Sequence, residues 1–153
     1  MRQRTVRADV DLERHVAHVI SRVRSVRKNL GVFFTPQWVV DFVVSLIDER
    51  TLDVNDLKVL EPACGICQFL AGIKRNKRHV FERAVVRVGV EVSKEIVEYA
   101  RERGLTRGVE VVCGDYLLWD TEECFDVVVG NSRKRVGKAG SFCCSNAKAV
   151  ACG

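Results

Sequence analysis

The sequence predicts an α/β fold in which a parallel sheet is wound with helices. Between residues 58 and 131, four short apolar runs rich in valine alternate with segments of helical period. Strands that alternate with helices in this way form a parallel sheet with crossover helices, hence a doubly wound architecture. The length of 153 residues suits one domain, or part of a larger one.

Before the first predicted strand, the sequence predicts two helices. The first lies between Val10 and Leu30, with apolar residues at helical spacing at Val16, Val19, Ile20, Val23, Val26 and Leu30. In the second, Thr35 precedes Pro36, which predicts an N-cap and a first helical residue. This helix is expected to end near Ile47 or Asp48 and to bury Val39, Val40, Phe42, Val43, Leu46 and Ile47.

From residue 58 the predicted elements follow one another closely. The valine-rich runs predict strands at Lys58–Ala63, Ala84–Val92, Val109–Cys113 and Phe125–Val129. A short helix is predicted near Phe69–Ile73, after the loop CGICQ. Another is predicted from Lys94 to about Arg103, with Ser93 as its N-cap.

After Asn131 the periodicity stops. The tail RKRVGKAGSFCCSNAKAVACG is basic and rich in small residues, with neither helical nor strand period. We therefore divide the chain into a basic helical extension at 1–30, an α/β domain at 31–131 and an aperiodic tail at 132–153.

Composition limits the class of protein. Apolar residues make up 47% of the chain, which is enough for a sizeable core. The sequence contains neither a run long enough to span a membrane nor an apolar signal core, so we expect a cytoplasmic protein without a membrane partner. The net charge of +5 is concentrated at both ends, which suits a nucleic-acid partner; solvated surface is the plainer alternative.

Seven cysteines do not form a secreted disulfide framework, and they suit a reduced compartment. Cys64 and Cys67 form a C-x-x-C pair that is typical of a redox pair or of half a zinc site. The remaining ligands of a tetrahedral site are not found at ligand spacing. The sequence therefore favours a cofactor loop here, with no metal.

Acidic residues stand at the ends of three successive predicted strands: Glu61, Glu91 and Asp115. Because parallel strands end at one edge of a sheet, these acids are expected to meet in one crevice. An acid at the end of the second strand typically accepts hydrogen bonds from ribose hydroxyls. One polar strand end is ordinary, whereas three in succession favour a cofactor site.

Two segments in this region resemble motifs of a known family. EPACGICQFL resembles the S-adenosylmethionine (SAM) signature of N6-adenine DNA methyltransferases, typically Glu-Pro-Ala-Cys-Gly-x-Gly-x-Phe-Leu. GVFFTP is similar to the Gly-Val-x-Tyr-Thr-Pro segment that precedes this signature in the gamma class. The resemblance covers roughly residues 29–131. It implies the amino-terminal part of a Rossmann-like, SAM-dependent methyltransferase, of restriction–modification type, that acts on DNA.

The resemblance also implies roles for individual residues. Phe33, Thr35 and Pro36 are expected to line the methionine side of SAM, with Glu61, Ala63 and Gly65 forming the floor and turn beneath it. Glu91 is expected to hold the ribose hydroxyls and Asp115 the adenine amine. Tyr116 or Leu117 is expected to flank the adenine ring.

The chain departs from the family at two positions. Cys67 replaces the second glycine of the signature, which is costly if that residue needs a positive φ. Asn131 matches the catalytic asparagine of the family's Asn-Pro-Pro-Tyr, but Ser132, Arg133 and Lys134 follow it. In the family, the asparagine and the first proline carbonyl accept the N–H bonds of a flipped adenine, and the aromatic ring stacks on it.

Asn131 is therefore predicted to be a catalytic remnant in a truncated chain with a sheet of about four strands. We hypothesise a frameshift or a truncation just after it, with weak or no activity. Two alternatives remain: a non-catalytic module that binds SAM or nucleic acid, and a subunit completed by a separately encoded chain.

Overall fold

The computed structural model describes residues 34–52, 55–131 and 148–151. Phe33, the helix predicted within residues 10–30, and residues 132–147 lie outside the described residues. None of the helices in the described part is long and apolar enough to cross a membrane.

Helix α1 spans Gln37–Ser45 and begins one residue later than the sequence predicted. Its N-cap is Pro36, whose carbonyl accepts hydrogen bonds from the backbone N–H groups of Val39 and Val40 at 3.0 and 3.2 Å. The prediction that Thr35 is the N-cap was wrong. The Thr35 backbone is instead hydrogen-bonded to the side chain of Gln68, and its hydroxyl accepts a hydrogen bond from the side chain of Asn131.

Helix α1 buries only one of its faces. Val40, Val43, Val44 and Ile47 are buried, as the helical period predicts for a single face. The prediction that Phe42 and Leu46 are core residues was wrong, because these side chains are 58% and 53% exposed. They lie four residues apart on the outer face, together with Trp38, which is 73% exposed.

The four predicted strands are present and form a parallel sheet, although each differs from its predicted bounds by one or two residues at one or both ends. They are β1 (Lys58–Pro62), β2 (Val86–Glu91), β3 (Glu110–Cys113) and β4 (Val127–Gly130). A fifth strand, β5 (Lys148–Ala151), which the sequence did not predict, pairs with β4 in parallel. The strand order is β3-β2-β1-β4-β5.

Three further helices follow the first strand. They are α2 (Gln68–Asn76), α3 (Arg78–Arg83) and α4 (Lys94–Glu102). Helix α2 is longer than predicted, and the six-residue α3 was not predicted, since a short, highly charged segment gives little helical period. The Ser93 cap of α4 is confirmed: its hydroxyl accepts a hydrogen bond from the Ile96 N–H at 3.4 Å.

The two faces of the sheet are covered differently. One face packs with α1, α2 and α3 in a cluster that includes Val59, Val127 and Val129. The opposite face, with Leu60 and Val128, packs against the segment that joins β3 to β4, through Tyr116, Trp119 and Phe125. A doubly wound fold predicts a crossover helix between β3 and β4. Among the described residues, this connection forms no helix and packs its aromatic side chains against the sheet.

The contact between α1 and α2 depends on a glycine inside a helix. Gly72 lies in the middle of α2, where glycine is normally unfavourable. A Cβ at this position would lie 2.6 Å from Cγ1 of Val40 and 3.2 Å from Cγ2 of Val44. Both valines are fully buried and rotationally restricted, so the absence of a side chain at residue 72 permits the close approach of the two helices.

We expect Gly72→Ala to lower the free energy of unfolding by about 1–2 kcal/mol. Overpacking costs roughly 1–3 kcal/mol, and the better helix propensity of alanine returns up to about 1 kcal/mol. Urea denaturation of the single variant, of Val40→Ala and of the double variant measures the effect. The double variant should lose less than the sum of the two singles, and a Gly72→Ala chain more stable than wild type would contradict the packing described here.

Candidate cofactor site at the strand ends

The candidate site lies where the order of the sheet reverses. β1 is hydrogen-bonded to β2 on one side and to β4 on the other. The strands that follow β1 in sequence are therefore added first on one side of β1 and then on the other. Ligands of open α/β sheets bind outside the carboxyl ends of the strands at such a point. The loop after β1, the end of β2, the turn after β3 and Asn131 after β4 all occupy this edge.

The loop between β1 and α2 contains three residues with left-handed backbone. Ala63, Gly65 and Cys67 have φ values of 53°, 56° and 62°. A Cβ on Gly65 would meet no atom within 4 Å, so the backbone here is open to an approaching group. The sequence concern about Cys67 is confirmed in part, since this residue does adopt a positive φ that favours glycine.

Glu61 supports this loop from beneath. Its side chain is 2% exposed, and its two oxygens accept hydrogen bonds from the N–H groups of Phe69 at 3.1 Å and Leu70 at 2.9 Å. These donors belong to the first turn of α2, where backbone N–H groups have no partner within the helix. Burial raises the pKa of Glu61 to about 8, although the two backbone donors oppose the shift.

Glu91 holds the loop from the side of β2. It is 6% exposed; its Oε2 accepts a hydrogen bond from the Gly65 N–H and its Oε1 one from the Ser93 N–H, both at 2.9 Å. A carboxylate has about four lone-pair sites, so each oxygen has capacity for one more donor. The predicted ribose hydroxyls would therefore share Glu91 with the loop.

The third acid is exposed. Asp115 follows β3, and its Oδ1 accepts a hydrogen bond from the Leu117 N–H at 3.0 Å, which fixes the turn. A Cβ on neighbouring Gly114 would meet no atom within 4 Å. The ring of Tyr116 packs toward Trp119, with centroids 6.4 Å apart, and burial raises the pKa of its hydroxyl. Leu117 is 63% exposed.

Thr35 and Asn131, 96 residues apart in sequence, meet at this edge. The Asn131 Nδ2 donates a hydrogen bond to Thr35 Oγ1 at 3.4 Å. Thr35 is buried, and its backbone N–H and carbonyl both bond to the side-chain amide of Gln68. The structure thus brings two predicted site residues into direct contact. Gln68, a residue that the sequence motifs did not identify, holds the Thr35 backbone in this position.

The C-x-x-C pair packs beneath the loop. The sulfur atoms of Cys64 and Cys67 are 3.6 Å apart, and these residues are 4% and 0% exposed. They fill the space over Gly89 of β2, where a Cβ would lie 2.7 Å from the Cys64 sulfur. The hydrogen bond with Cys67, together with burial, raises the pKa of the Cys64 thiol, so it stays protonated at neutral pH.

Within the described ranges, no group of three or more His, Cys, Asp or Glu residues is placed to hold a metal ion. A cavity of about 440 Å³ lies elsewhere, near the end of α1, and is lined by residues 45–50 and Lys77. None of the predicted site residues that the structure describes lines it. The edge of the sheet therefore remains the candidate site.

Comparison with known proteins identifies the family of the chain. The family model described as N-6 DNA Methylase matches residues 18–133, which include the whole strand-end edge. The chain belongs to this family. The assignment to the gamma class stays a prediction.

Curated relatives cover the same region. The Type II methyltransferase M.CvrRI of Paramecium bursaria Chlorella virus XZ-6E is 32% identical over 105 residues, which are 69% of this chain and 24% of the relative. The Type II methyltransferase M.TthHB8I of Thermus thermophilus is 33% identical over 104 residues, 68% of this chain and 21% of the relative. The matched region thus spans about a quarter or less of these relatives.

Solved structures support the fold. The plantazolicin methyltransferase BpumL, in complex with a triazolic analogue and SAH, aligns with a TM-score of 0.51 at 18% identity, covering 82% of this chain and 49% of that one. A putative class I SAM-dependent methyltransferase from Listeria monocytogenes has the same TM-score at 20% identity, covering 69% of this chain and 35% of that one. The chain has the Rossmann-like fold of these proteins.

We expect the stability of the chain to fall as pH rises from about 4.5 to about 8. The folded state raises the pKa of Glu61, so its carboxyl group keeps its proton in the folded chain after the unfolded chain has lost it. Each further pH unit in this window then costs up to about 1.4 kcal/mol per proton. Chemical denaturation across the window measures the slope.

The control is Glu61→Gln, which cannot titrate. Subtracting its pH profile from that of wild type isolates the contribution of Glu61. A difference profile that is flat, or that rises with pH, would show that the carboxyl is ionised in the fold.

Proposed function

We propose that this chain carries the SAM-binding part of an N6-adenine DNA methyltransferase. The observation that carries the proposal is the loop at Ala63–Cys67, held on Glu91 by the Gly65 N–H at 2.9 Å at the reversal of the strand order. Membership of the N-6 DNA methylase family supports methyl transfer. DNA as substrate and adenine N6 as acceptor are suggested by the names of the family and its relatives.

The residues present fit the cofactor. Glu91 offers buried carboxylate lone pairs suited to two neighbouring hydroxyls, while exposed Asp115 offers an acceptor for an exocyclic amine. The open space beside Gly65 and Gly114 leaves both turns accessible along their backbone. Three more residues border the same edge of the sheet: exposed Ala63, buried Thr35 and half-exposed Asn131.

SAM would supply an electrophilic methyl group, and the chain's own residues would position the acceptor. The lone pair of the adenine amine is delocalised into the ring, which makes it a poor nucleophile. An acceptor that takes a hydrogen bond from this amine makes its nitrogen more nucleophilic. We propose Asn131 for this role: its Nδ2 donates to Thr35, which leaves Oδ1 on the other side of the amide as the acceptor.

We further propose that the chain alone transfers methyl groups weakly or not at all. Lys134 stands where the family places an aromatic ring, and Ser132 and Arg133 stand where it places prolines. Loss of the stacked ring alone costs about 1–3 kcal/mol, or about 5- to 150-fold in rate. Completion of the protein by a separately encoded chain stays a prediction, and so does the cytoplasmic location of the protein.

We expect the chain to bind SAM. Asp115→Ala should weaken binding by about ten- to a hundredfold, since a hydrogen bond to a charged group is worth about 1.5–3 kcal/mol. Asp115 is exposed, so its removal should leave the sheet and the core intact and should free only the Leu117 N–H of its own turn. Glu91→Ala should weaken binding further, but it also leaves two backbone donors without their acceptor. Isothermal titration calorimetry measures the Kd.

Asp120→Ala is the matched control, because Asp120 is exposed on the same segment five residues beyond. It should bind like wild type. Equal affinities of all variants would refute the site. Salt-dependent DNA binding without affinity for SAM would favour the non-catalytic nucleic-acid module.

We expect transfer of a labelled methyl group from SAM to adenine-containing DNA to be no greater with wild type than with Asn131→Ala. Both chains lack the prolines and the ring that complete the adenine pocket in the family. Methylation at adenine N6 that the substitution abolishes would show that Asn131 is a working catalytic residue.

Sequencing the gene beyond codon 131 in all frames tests the frameshift hypothesis: Pro-Pro and an aromatic residue in another frame would support it.

A further inference from the structure

The side chain of Gln68 bridges two segments that are 33 residues apart in sequence. Its Oε1 accepts a hydrogen bond from the Thr35 N–H at 3.1 Å, and its Nε2 donates to the Thr35 carbonyl at 3.0 Å. One side-chain amide thus satisfies both backbone groups of a buried residue, as a neighbouring strand would. Thr35 is 7% exposed, so water has little access to replace these bonds.

Gln68 occupies a special place in the local structure. It is the first residue of α2, directly after Cys67, whose left-handed backbone ends the loop that Glu91 holds. In the signature that this segment resembles, position 68 is one of the variable positions. The motif therefore gives no role to this residue, and the role follows only from its contacts.

The bridge connects the loop to Asn131. Thr35 receives the side-chain amide of Asn131 on its hydroxyl while Gln68 fixes its backbone. A chain of hydrogen bonds therefore runs from the start of α2, through Thr35, to the end of β4. Pro36 follows Thr35 immediately and caps α1, so the same bridge also sets where that helix begins.

We propose that Gln68 is a positioning residue: its amide fixes the Thr35–Pro36 wall of the crevice against the cofactor loop and thereby sets the affinity for SAM and the orientation of Asn131. This inference rests on the proposed function for the SAM-binding part and on geometry alone for the positioning part. Gln68 acts through Thr35 and is not assigned a contact with SAM.

Two substitutions separate the hydrogen bonds from packing. Gln68→Met keeps the length of the side chain and removes both bonds. Gln68→Glu keeps an acceptor for the Thr35 N–H, but an ionised carboxylate repels the Thr35 carbonyl; once protonated, it can donate to that carbonyl again. Gln37→Met is the matched control, since the half-buried Gln37 amide bonds to Asp41 within α1 and not to the Thr35 backbone.

We expect the Kd for SAM to rise roughly tenfold in Gln68→Met and to stay at the wild-type value in Gln37→Met. The ratio of the Gln68→Glu Kd to the wild-type Kd should fall as pH is lowered toward the ordinary pKa of a glutamate, whereas the Gln68→Met ratio stays constant. Taking ratios cancels the titration of Glu61, which both chains share. If Gln68 acted through packing alone, lowering the pH would not restore the affinity of Gln68→Glu in this way.

Hydrogen exchange of the Thr35 amide, in chains labelled with ¹⁵N-threonine, tests the positioning part without any ligand. Protection in wild type that is lost in Gln68→Met supports the bridge, and equal exchange in both chains overturns it. A wild-type chain that binds no SAM overturns the proposed function and the affinity part of this inference. Unchanged affinity in a Gln68→Met chain that has lost its protection overturns the affinity part alone.

Discussion

The structure depends on one short loop held between two buried glutamic acid side chains. Glu61 receives the first N–H groups of α2 from beneath, and Glu91 receives the N–H groups of Gly65 and Ser93 from the side. Burying a carboxyl group is costly unless its oxygens are hydrogen-bonded, and here each of the four oxygens accepts a backbone donor. The loop can therefore keep a conformation with three positive φ values, which an unsupported segment of this composition would leave.

Packing beneath the loop shows how the chain accommodates a residue that its family writes as glycine. Cys67 adopts the left-handed backbone, and its sulfur lies with that of Cys64 in the space over Gly89. The thiol therefore points toward the sheet, and the open side of Gly65 remains unobstructed. The substitution loads strain into the backbone of the loop without filling the crevice above it.

The same edge of the sheet shows where the family likeness becomes incomplete. Asn131 reaches its place at the end of β4, next to Thr35, although the residues that follow it in sequence differ from the family's motif. The matched region spans about a quarter of the curated relatives. The segments proposed to bind the cofactor therefore match the motifs of the family more fully than the segment that follows Asn131 does.

The sequence by itself predicted four of the five described strands, three of the four described α-helices and the family. Valine runs, the Ser93 cap and the acids at the strand ends are local patterns. Such patterns can be recognised in the sequence without knowledge of the fold. The tertiary structure alone decided which face of α1 is buried, that β5 joins the sheet beside β4, and that Gln68 holds Thr35. Phe42 and Leu46 are as apolar as their buried neighbours, so only the position of α2 distinguishes them. The amide of Gln68 carries no distinguishing pattern either, because its role arises from a residue 33 positions away that the fold alone brings within hydrogen-bonding distance.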